Sequence, residues 1–215
     1  MTADQQTHLI CLRPMLREDV ARLADIHVKA FAHFSNSRLG TSYARHVLHW
    51  FLSDPHAIAI VAEIRNLPIG YVVGAPLDYR KRFNRAMFLP AIIGYLTHPR
   101  AWFDWRLFKT AMHRVRSTLQ PISTPPTLDL PKPAYSLVSI AVSPDFQGLG
   151  IGQRLVEAFE NHARTLGAVA LRLSTRPGHA PAIALYERCG WIPHNRDDIL
   201  YFVKLLVGDL TSIGS

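Results

Sequence analysis

The stretch from Tyr135 to Ala168 constrains the fold more than any other part of this 215-residue chain. It predicts a strand, a short glycine-rich turn and an amphipathic helix in direct succession. Tyr135–Val142 is apolar and rich in β-branched residues, and Pro144 ends the strand because proline has no N–H to give to a neighbouring strand. Apolar residues then recur every fourth position until Gly167, which is placed to stop a helix. These recurring residues are Ile151, Leu155, Phe159 and Ala163.

The turn between strand and helix, Gln147–Gly152, contains three glycines. Glycine lets a backbone approach a ligand closely. The unpaired N–H groups of a first helical turn, together with the helix dipole, favour an anion. The spacing is not that of the dinucleotide fingerprint, and no Lys-Ser/Thr pair follows as in a nucleoside-triphosphate loop. The turn therefore predicts a cradle for an anion such as a pyrophosphate.

Two linked motifs carry a family resemblance. Gln147-x-x-Gly150-x-Gly152 follows the strand end Ala141–Pro144, and Ala182-x-x-Leu185-Tyr186 leads to Gly190-Trp191 further on. The first resembles the Arg/Gln-x-x-Gly-x-Gly/Ala signature of the GNAT N-acetyltransferases, and the second resembles their A-x-x-L-Y-x-x-x-G-F block. The chain is identified on these residues as a member of that family.

The resemblance implies an α/β (α+β) fold with a mixed, mostly antiparallel twisted sheet of six to seven strands flanked by helices. It implies one domain, residues 1–215, with a helical insert at about 76–134 before the cofactor-binding strand. It also implies acetyl-CoA as cofactor, held where the strands Tyr135–Val142 and Val169–Ser174 splay apart. The activity it implies is N-acetylation, in which the amine attacks the thioester directly.

The resemblance also assigns candidate site residues. The pantetheine arm pairs with the strand backbone, and the pyrophosphate takes N–H groups of the turn. The N–H of Val142 stabilises the oxyanion, and the Tyr186 hydroxyl protonates the departing sulfur unless Tyr186 is only a core residue. His179 lies near a position where many members have an Asn that touches cofactor or acceptor. The cofactor-binding candidates are Ile140, Ala141, Val142, Gln147, Gly148, Leu149, Gly150, Ile151, Gly152, His179 and Tyr186.

The general base is left open by the sequence. The strand before the turn carries Ser136 and Ser139 but no carboxylate. His179 carries an imidazole that can accept a proton, but it can equally be a solvent-exposed loop histidine, with a chain of waters taking the proton instead. Direct attack needs no nucleophilic residue, so we expect Cys189 to be a packing residue.

The bulk properties predict a soluble cytoplasmic protein without a metal. Cys11 and Cys189 lie far apart with no metal or redox spacing, so we expect a buried, reduced pair. The N-terminal segment has no basic stretch followed by an apolar core, unlike a secretory signal. The longest apolar run, Ala86–Leu96, has about half the ~20 residues of a membrane span and contains Pro90.

The positive charge is local. Nine basic residues and one acid lie between Arg80 and Arg116, and their difference equals the net charge of the whole chain, +8. Within this segment Ala101–Leu119 has the pattern of an amphipathic helix. The insert either packs on the domain with a solvated basic face, or helps to hold the cofactor phosphates, or contacts an anionic membrane or glycan. No motif for specific nucleic-acid binding accompanies it. Together with residues 36–51, it resembles a GNAT subgroup associated with surface-polysaccharide biosynthesis.

Periodicity and turn residues predict the remaining elements. We expect a strand at Leu9–Arg13, helices at Glu18–Phe31 and Thr41–Leu52, and a hairpin of Ala57–Ile64 and Pro68–Ala75. We also expect a strand at Val169–Ser174, a helix from Pro181 to Gly190, and last strands at Trp191–Pro193 and Ile199–Val207.

Three functional hypotheses remain at this point. The first is an N-acetyltransferase for a small-molecule amine, an amino sugar being one candidate. The second is a peptide or protein amine acetyltransferase, and the third is a non-catalytic acyl-CoA-binding module. The presence of Tyr186 favours the two catalytic hypotheses. The absence of a carboxylate on the strand before the turn leaves the non-catalytic module as an alternative. Either a monomer or a homodimer is compatible with the sequence.

Overall fold

The computed structural model describes residues 10–31, 40–97, 130–196 and 199–206. They form one seven-stranded sheet in the order β1-β2-β3-β4-β5-β7-β6, in which only the β4–β5 pair is parallel. This confirms the predicted mixed, mostly antiparallel sheet. The strands are β1 Ile10–Pro14, β2 Ile58–Ile64, β3 Leu67–Pro76, β4 Ala134–Val142, β5 Ala170–Thr175, β6 Ile192–Arg196 and β7 Ile199–Leu205. The helices are α1 Val20–Ala30, α2 Gly40–Ser53, α3 Arg80–Thr97, α4 Ile151–Thr165 and α5 Ala180–Arg188.

Helices cover both faces of the sheet. Alternate side chains of a strand point to opposite faces, so Tyr71 and Val72 of β3 belong to different cores. Val72 packs with Leu155 and Phe159 of α4, in a core that also takes in α5. Tyr71 packs with Leu23 on the opposite face, which α1 and α2 cover. We call these the α4 face and the α1 face.

A β-bulge interrupts the pairing of β3 with β4. Val73 lies opposite Ser139, whereas the next residue, Gly74, lies opposite Leu137, so Val138 is an extra residue on β4. A bulge bends and twists the strand that carries it. The parallel pairing of β4 with β5 ends at Ser136 and Arg172, two residues before the bulge. From there to Val142 the two strands run apart and leave a gap in the sheet.

Gly74 allows the close packing at the bulge. A Cβ atom at this position would lie 2.4 Å from the Phe159 ring and 2.4 Å from the Ser136 carbonyl oxygen. The Phe159 side chain is fully buried. Glycine at 74 therefore brings α4, β3 and β4 together where the gap begins.

The hairpin of β2 and β3 is tighter than predicted. Only Arg65 and Asn66 form its turn, both with positive φ (50° and 64°), and Leu67 already belongs to β3. Two residues with positive φ match the right-handed twist of the strands.

Other boundaries differ from the predictions in small ways. Pro14 is the last residue of β1, not the residue that follows it. This is tolerated because β1 is an edge strand. A 3₁₀ turn, Arg17–Asp19, precedes α1. Pro90 lies inside α3, within the segment that the sequence analysis noted as the longest apolar run.

The expectation of two buried cysteines is wrong for one of them. Both thiols are free, and Cys189 is buried, but Cys11 is exposed. Cys11 alternates with buried Ile10 on the edge strand β1, so its side chain points away from the core that Ile10 joins.

Part of the basic insert is described. Its first helix, α3, begins at Arg80, whereas the predicted helix Ala101–Leu119 lies outside the described residues. In the part of the chain that the structure describes, no helix is both long and apolar enough to cross a membrane.

We predict that Gly74→Ala lowers the free energy of unfolding by about 2 kcal/mol, because the added methyl group overpacks the Phe159 contact. Urea denaturation measures this. Gly178→Ala is the matched control, since a Cβ there has no atom within 4 Å. Equal stability of the two variants would contradict the packing described at the bulge.

Candidate functional site

The glycines of the turn adopt conformations that favour glycine. Gly148 and Gly150 have φ values of 81° and 73°, in the left-handed region. A Cβ atom at either position would have no atom within 4 Å. The space above the turn is therefore open, and the backbone there can be approached by a ligand.

The turn presents backbone N–H groups at the start of α4. Gly150 is the N-cap residue, and its carbonyl oxygen accepts the first helical bond from Arg154 N–H at 3.1 Å. The N–H groups of the first turn have no partner inside the helix. Ile151 contributes only its backbone, since its side chain is 1% exposed and lies in the core. The geometry suits an anion at the helix N-terminus.

The backbone of β4 is turned alternately toward β3 and toward the gap. Ser143 N–H donates to the Ile69 carbonyl of β3 at 2.8 Å. Every second residue before Ser143 therefore also directs its backbone groups at β3. Ala141 therefore bonds to Tyr71 of β3, whereas Ile140 and Val142 direct their backbone groups at the gap. Of the three predicted strand residues, Ile140 directs its N–H and C=O at the gap and Val142 directs its N–H there.

Gln147 closes the turn onto the strand. Its side-chain Nε2 donates to the Val142 carbonyl oxygen at 3.2 Å. The bond leaves the Val142 N–H directed at the gap and ties the first residue of the motif to the end of β4. Gly152 allows a second close approach. A Cβ atom at this position would lie only 3.3 Å from the Leu185 side chain of α5. The start of α4 thus lies directly against α5, which carries Tyr186.

The Tyr186 side chain is 6% exposed, and its ring packs on Phe202 and Trp191. Its hydroxyl makes no hydrogen bond to any of the described residues. Burial raises the pKa of Tyr186, and the neighbouring Cys189 raises it further. The phenol is therefore protonated at neutral pH and able to donate a proton.

A polar network holds the segment that follows Tyr186. Buried Glu160 of α4 accepts hydrogen bonds from Trp191 Nε1 at 2.7 Å and from Lys204 Nζ at 2.6 Å. Lys204 also donates to the Cys189 carbonyl at 2.7 Å. These bonds join α4, β7 and the end of α5, so they fix the position of the helix that carries Tyr186.

Cys189 has the properties of a packing residue. Burial, reinforced by Glu160 and Glu157, raises the pKa of its thiol to about 11. At neutral pH the side chain is an uncharged thiol among buried apolar residues. It is not an activated nucleophile.

His179 lies at the N-cap position of α5. Its carbonyl oxygen accepts hydrogen bonds from the N–H groups of Ala182 and Ile183, both at 3.1 Å. The backbone of His179 thus starts the helix that carries Tyr186. Its ring was predicted to be near cofactor or acceptor, and the described contacts leave that as a prediction.

Sequence reasoning missed a polar connection on the α1 face. The Tyr71 hydroxyl is hydrogen-bonded to His27 Nδ1 of α1 and, at 3.0 Å, to the Ser139 hydroxyl of β4. Burial lowers the pKa of His27 to about 4, so the ring is neutral at neutral pH. The three residues are far apart in sequence, and no local pattern joins them. They fix α1 against β4 beside the bulge.

The family model described as the acetyltransferase (GNAT) family matches residues 20–191. The chain belongs to the GNAT family. The matched range begins at α1, includes the gap and the turn, and ends just after α5. The GNAT resemblance predicted from the two motifs is confirmed.

Curated relatives of this GNAT chain match over short stretches. The [ribosomal protein bS18]-alanine N-acetyltransferase of Salmonella typhimurium is 46% identical over 56 residues, which are 26% of this chain and 38% of that protein. The mycothiol acetyltransferase of Geodermatophilus obscurus is 33% identical over 73 residues, or 34% of this chain and 24% of that protein. The chain thus spans well under half the length of each of these two relatives.

Solved GNAT structures share the fold over nearly the whole chain. The paia N-acetyltransferase of Thermoplasma acidophilum, crystallised with coenzyme A, aligns with a TM-score of 0.59. The alignment covers 91% of this chain and 98% of that one at 12% identity. At that identity the comparison supports the fold.

We predict that stability falls as the pH drops from 6.5 to about 4, because His27 is protonated in the unfolded chain before it is protonated in the folded one. The loss is at most about 3 kcal/mol. Urea denaturation across this pH range measures it. His27→Gln flattens this part of the profile, whereas exposed His162→Gln does not. The same slope in wild type and His27→Gln would contradict the assignment.

Proposed function

We propose that this GNAT domain is an acetyl-CoA-dependent N-acetyltransferase for an amine acceptor. The observation that carries the proposal is the continuous path formed by the gap between β4 and β5 and the glycine turn at its open end. A path of this kind suits a long, thin ligand with an anionic group at one end. Acetyl-CoA, which supplies an activated acetyl thioester, has that shape.

The residues of this chain offer a partner for each part of the cofactor. Ile140 presents its backbone N–H and C=O groups to the gap, whereas Val142 presents only its N–H to the pantetheine arm because its carbonyl accepts from Gln147. The N–H groups of the turn Gln147–Gly152 present donors for the pyrophosphate. Gly148 and Gly150 are needed in this role because a side chain there would enter the space where the phosphates lie.

Two groups are placed for the chemical step. The acceptor amine attacks the thioester carbon, and the C–S bond breaks with the sulfur leaving as a thiolate. A path that starts at the turn reaches Val142 before Ile140, so the thioester at the far end of the pantetheine arm lies beside Ile140. The Ile140 N–H, directed at the gap, therefore stabilises the negative charge on the carbonyl oxygen in place of the predicted donor, Val142. The Tyr186 hydroxyl, kept protonated by burial, gives its proton to the sulfur.

We assign no side chain as the general base. The side chains of β4 include no carboxylate. His27 is hydrogen-bonded to Tyr71 beside the bulge, but a pKa of about 4 makes it a weak base at neutral pH. In the proposal, His27 fixes α1 against β3 and β4 on the side from which the acceptor binds. The acceptor amine then loses its proton to water.

The acceptor is proposed to be a small-molecule amine. Matching relatives are named for both acceptor classes, a ribosomal-protein alanine and mycothiol. A peptide amine is therefore the second candidate. A non-catalytic acyl-CoA-binding module is the third, and the hydroxyl of Tyr186, free of described partners, favours catalysis over it.

The activity is tested by measuring CoA release from acetyl-CoA with a panel of small amines, amino sugars and N-terminal peptides. The proposal expects at least one amine to stimulate release, with the acetylated amine as product. Tight binding of acetyl-CoA with no stimulation by any amine would support the binding module instead.

We predict that Gly150→Glu weakens CoA binding by about 100-fold, because the carboxylate occupies the open space of the turn and repels the pyrophosphate. Calorimetry measures the affinity. Gly167→Glu is the control, since Gly167 has the same positive φ (79°) and open surroundings but lies at the far end of α4. Unchanged affinity in Gly150→Glu would refute the cradle.

We predict that Tyr186→Phe lowers kcat by about 100-fold and changes CoA affinity less than twofold, because only the proton donor is lost. Tyr43→Phe, at an equally buried tyrosine of α2 (6% exposed), is the control for losing a buried hydroxyl. A lower melting temperature with normal kcat would make Tyr186 a core residue only.

A further inference from the structure

Arg172 is a buried cation on β5. The residue is 7% exposed. Its neighbours Leu171 and Leu173 pack in the core of the α4 face, so the Arg172 side chain points to the α1 face. Arg172 is also the β5 partner of Ser136 in the last pair before the gap. A positive charge therefore lies inside the protein at the closed end of the gap.

The guanidinium of Arg172 has no counter-ion within residues 10–31, 40–97, 130–196 and 199–206. No carboxylate forms an ion pair with it there, and no acceptor takes a hydrogen bond from it. Its Cζ atom lies 5.8 Å from the centroid of the Tyr201 ring. Because no buried side-chain nitrogen lacks a partner, its unbonded nitrogen atoms reach accessible space.

The groups around Arg172 do not compensate its charge. Burial lowers the pKa of Arg172, and the positive charge of Arg80 lowers it further. Tyr79 and Tyr201 are the other groups that act on it. Burial raises the pKa of Tyr79, so this phenol is neutral at neutral pH. The site thus contains two cations, the neutral phenol of Tyr79 and the side chain of Tyr201.

These neighbours are held in place by packing. The Tyr79 ring lies 6.1 Å from Trp50 and 5.9 Å from Phe83, measured between ring centroids. Arg80 follows Tyr79 directly and begins α3. The Tyr79 side of the site is therefore in place before any ligand arrives, which reduces the entropic cost of binding.

A buried cation that the described residues leave without a counter-ion, near a second cation, is unfavourable for folding. Such an arrangement is typical of a site that receives an anion from outside the chain. The cofactor pyrophosphate is not that anion, because Arg172 pairs with Ser136, six residues before Val142. At about 3.3 Å per residue the turn lies about 20 Å away.

We propose that Arg172 binds an oxyanion group of the acceptor, so that the substrate is an amine that also carries a carboxylate or a phosphate. A guanidinium binds either group through two parallel hydrogen bonds. Arg80 adds charge, and the hydroxyls of Tyr79 and Tyr201 are available as donors. The inference rests on the proposed function, since the closed end of the gap is where the thioester meets the acceptor.

The test compares acceptors that differ only in the anionic group. An amino acid is paired with its amide, and glucosamine with glucosamine 6-phosphate, which distinguishes a carboxylate from a phosphate. We expect the anionic member of at least one pair to have a kcat/KM at least about 10-fold higher. If no amine at all releases CoA, the proposed function fails. If neutral and anionic members react equally well, the function stands and this inference is overturned.

Substitutions at Arg172 separate binding from folding. In Arg172→Met, kcat/KM for the preferred anionic acceptor falls by about 100-fold and that for its neutral partner is unaffected. The melting temperature rises because a buried charge with no counter-ion among the described residues is gone. Arg172→Lys keeps the charge without the two-pronged geometry, so it retains part of the preference. Exposed Arg164→Met, at the end of α4, is the control and changes neither quantity.

The preference for anionic acceptors and the melting temperature can each overturn the inference on its own. A preference for anionic acceptors that survives in both Arg172 variants would show that another residue recognises the anion. A lower melting temperature in Arg172→Met, with Arg164→Met unchanged, would show that Arg172 already has a counter-ion within the chain.

Discussion

The parallel pairing of β4 with β5 stops at Ser136 and Arg172, and the functional part of the molecule depends on that interruption. The extra residue Val138 bends β4 away from β5 while β4 stays paired with β3. Unpaired backbone groups inside a protein are costly unless a ligand or water satisfies them. The gap is therefore both a weakness of the sheet and its binding feature, because a ligand with amide groups completes the missing pairing.

The rest of the fold holds the two sides of the gap apart. Gly74 lets Phe159 of α4 press on β3 and β4 at the bulge. At one end of the sheet, Arg13 bonds Asp19 and Glu63, each at 2.7 Å, and joins β1, β2 and the turn before α1. At the other end, Glu160 joins α4 to β7. With both ends fixed by charged groups, the middle of the sheet can remain open without losing its shape.

The parts of the site that were predictable are local in sequence. A strand that ends at a proline, a glycine turn and the start of a helix are consecutive, so their geometry follows from the residues themselves. The position of Tyr186 followed from a second motif. Three features were not predictable, because each depends on which distant side chains the sheet brings together. They are the bulge at Val138, the bond between His27 and Tyr71, and the lack of a counter-ion for Arg172 among the described residues. The exposure of Cys11 likewise depends on which side of an edge strand is left uncovered.

The proposed acceptor site also depends on residues that are distant in sequence. Sequence analysis assigned the positive charge to the segment Arg80–Arg116, where it is dense. The structure places Arg80, the first of those residues, beside Arg172, which is an unremarkable member of an alternating strand in sequence. The proposed recognition of an anionic acceptor arises from that pair of residues, 92 positions apart, and not from charge density.

The proposed function depends on the binding of acetyl-CoA to the backbone of β4 along the gap. Amide hydrogen exchange, measured residue by residue by NMR with and without acetyl-CoA, reports this binding. Acetyl-CoA is expected to slow exchange at the Ile140 and Val142 N–H groups by at least about 10-fold, since each gains a hydrogen bond. The Ala141 N–H, already bonded to β3, serves as the internal reference and changes little. Equal slowing at all three residues, or none at Ile140 and Val142, would contradict this mode of binding.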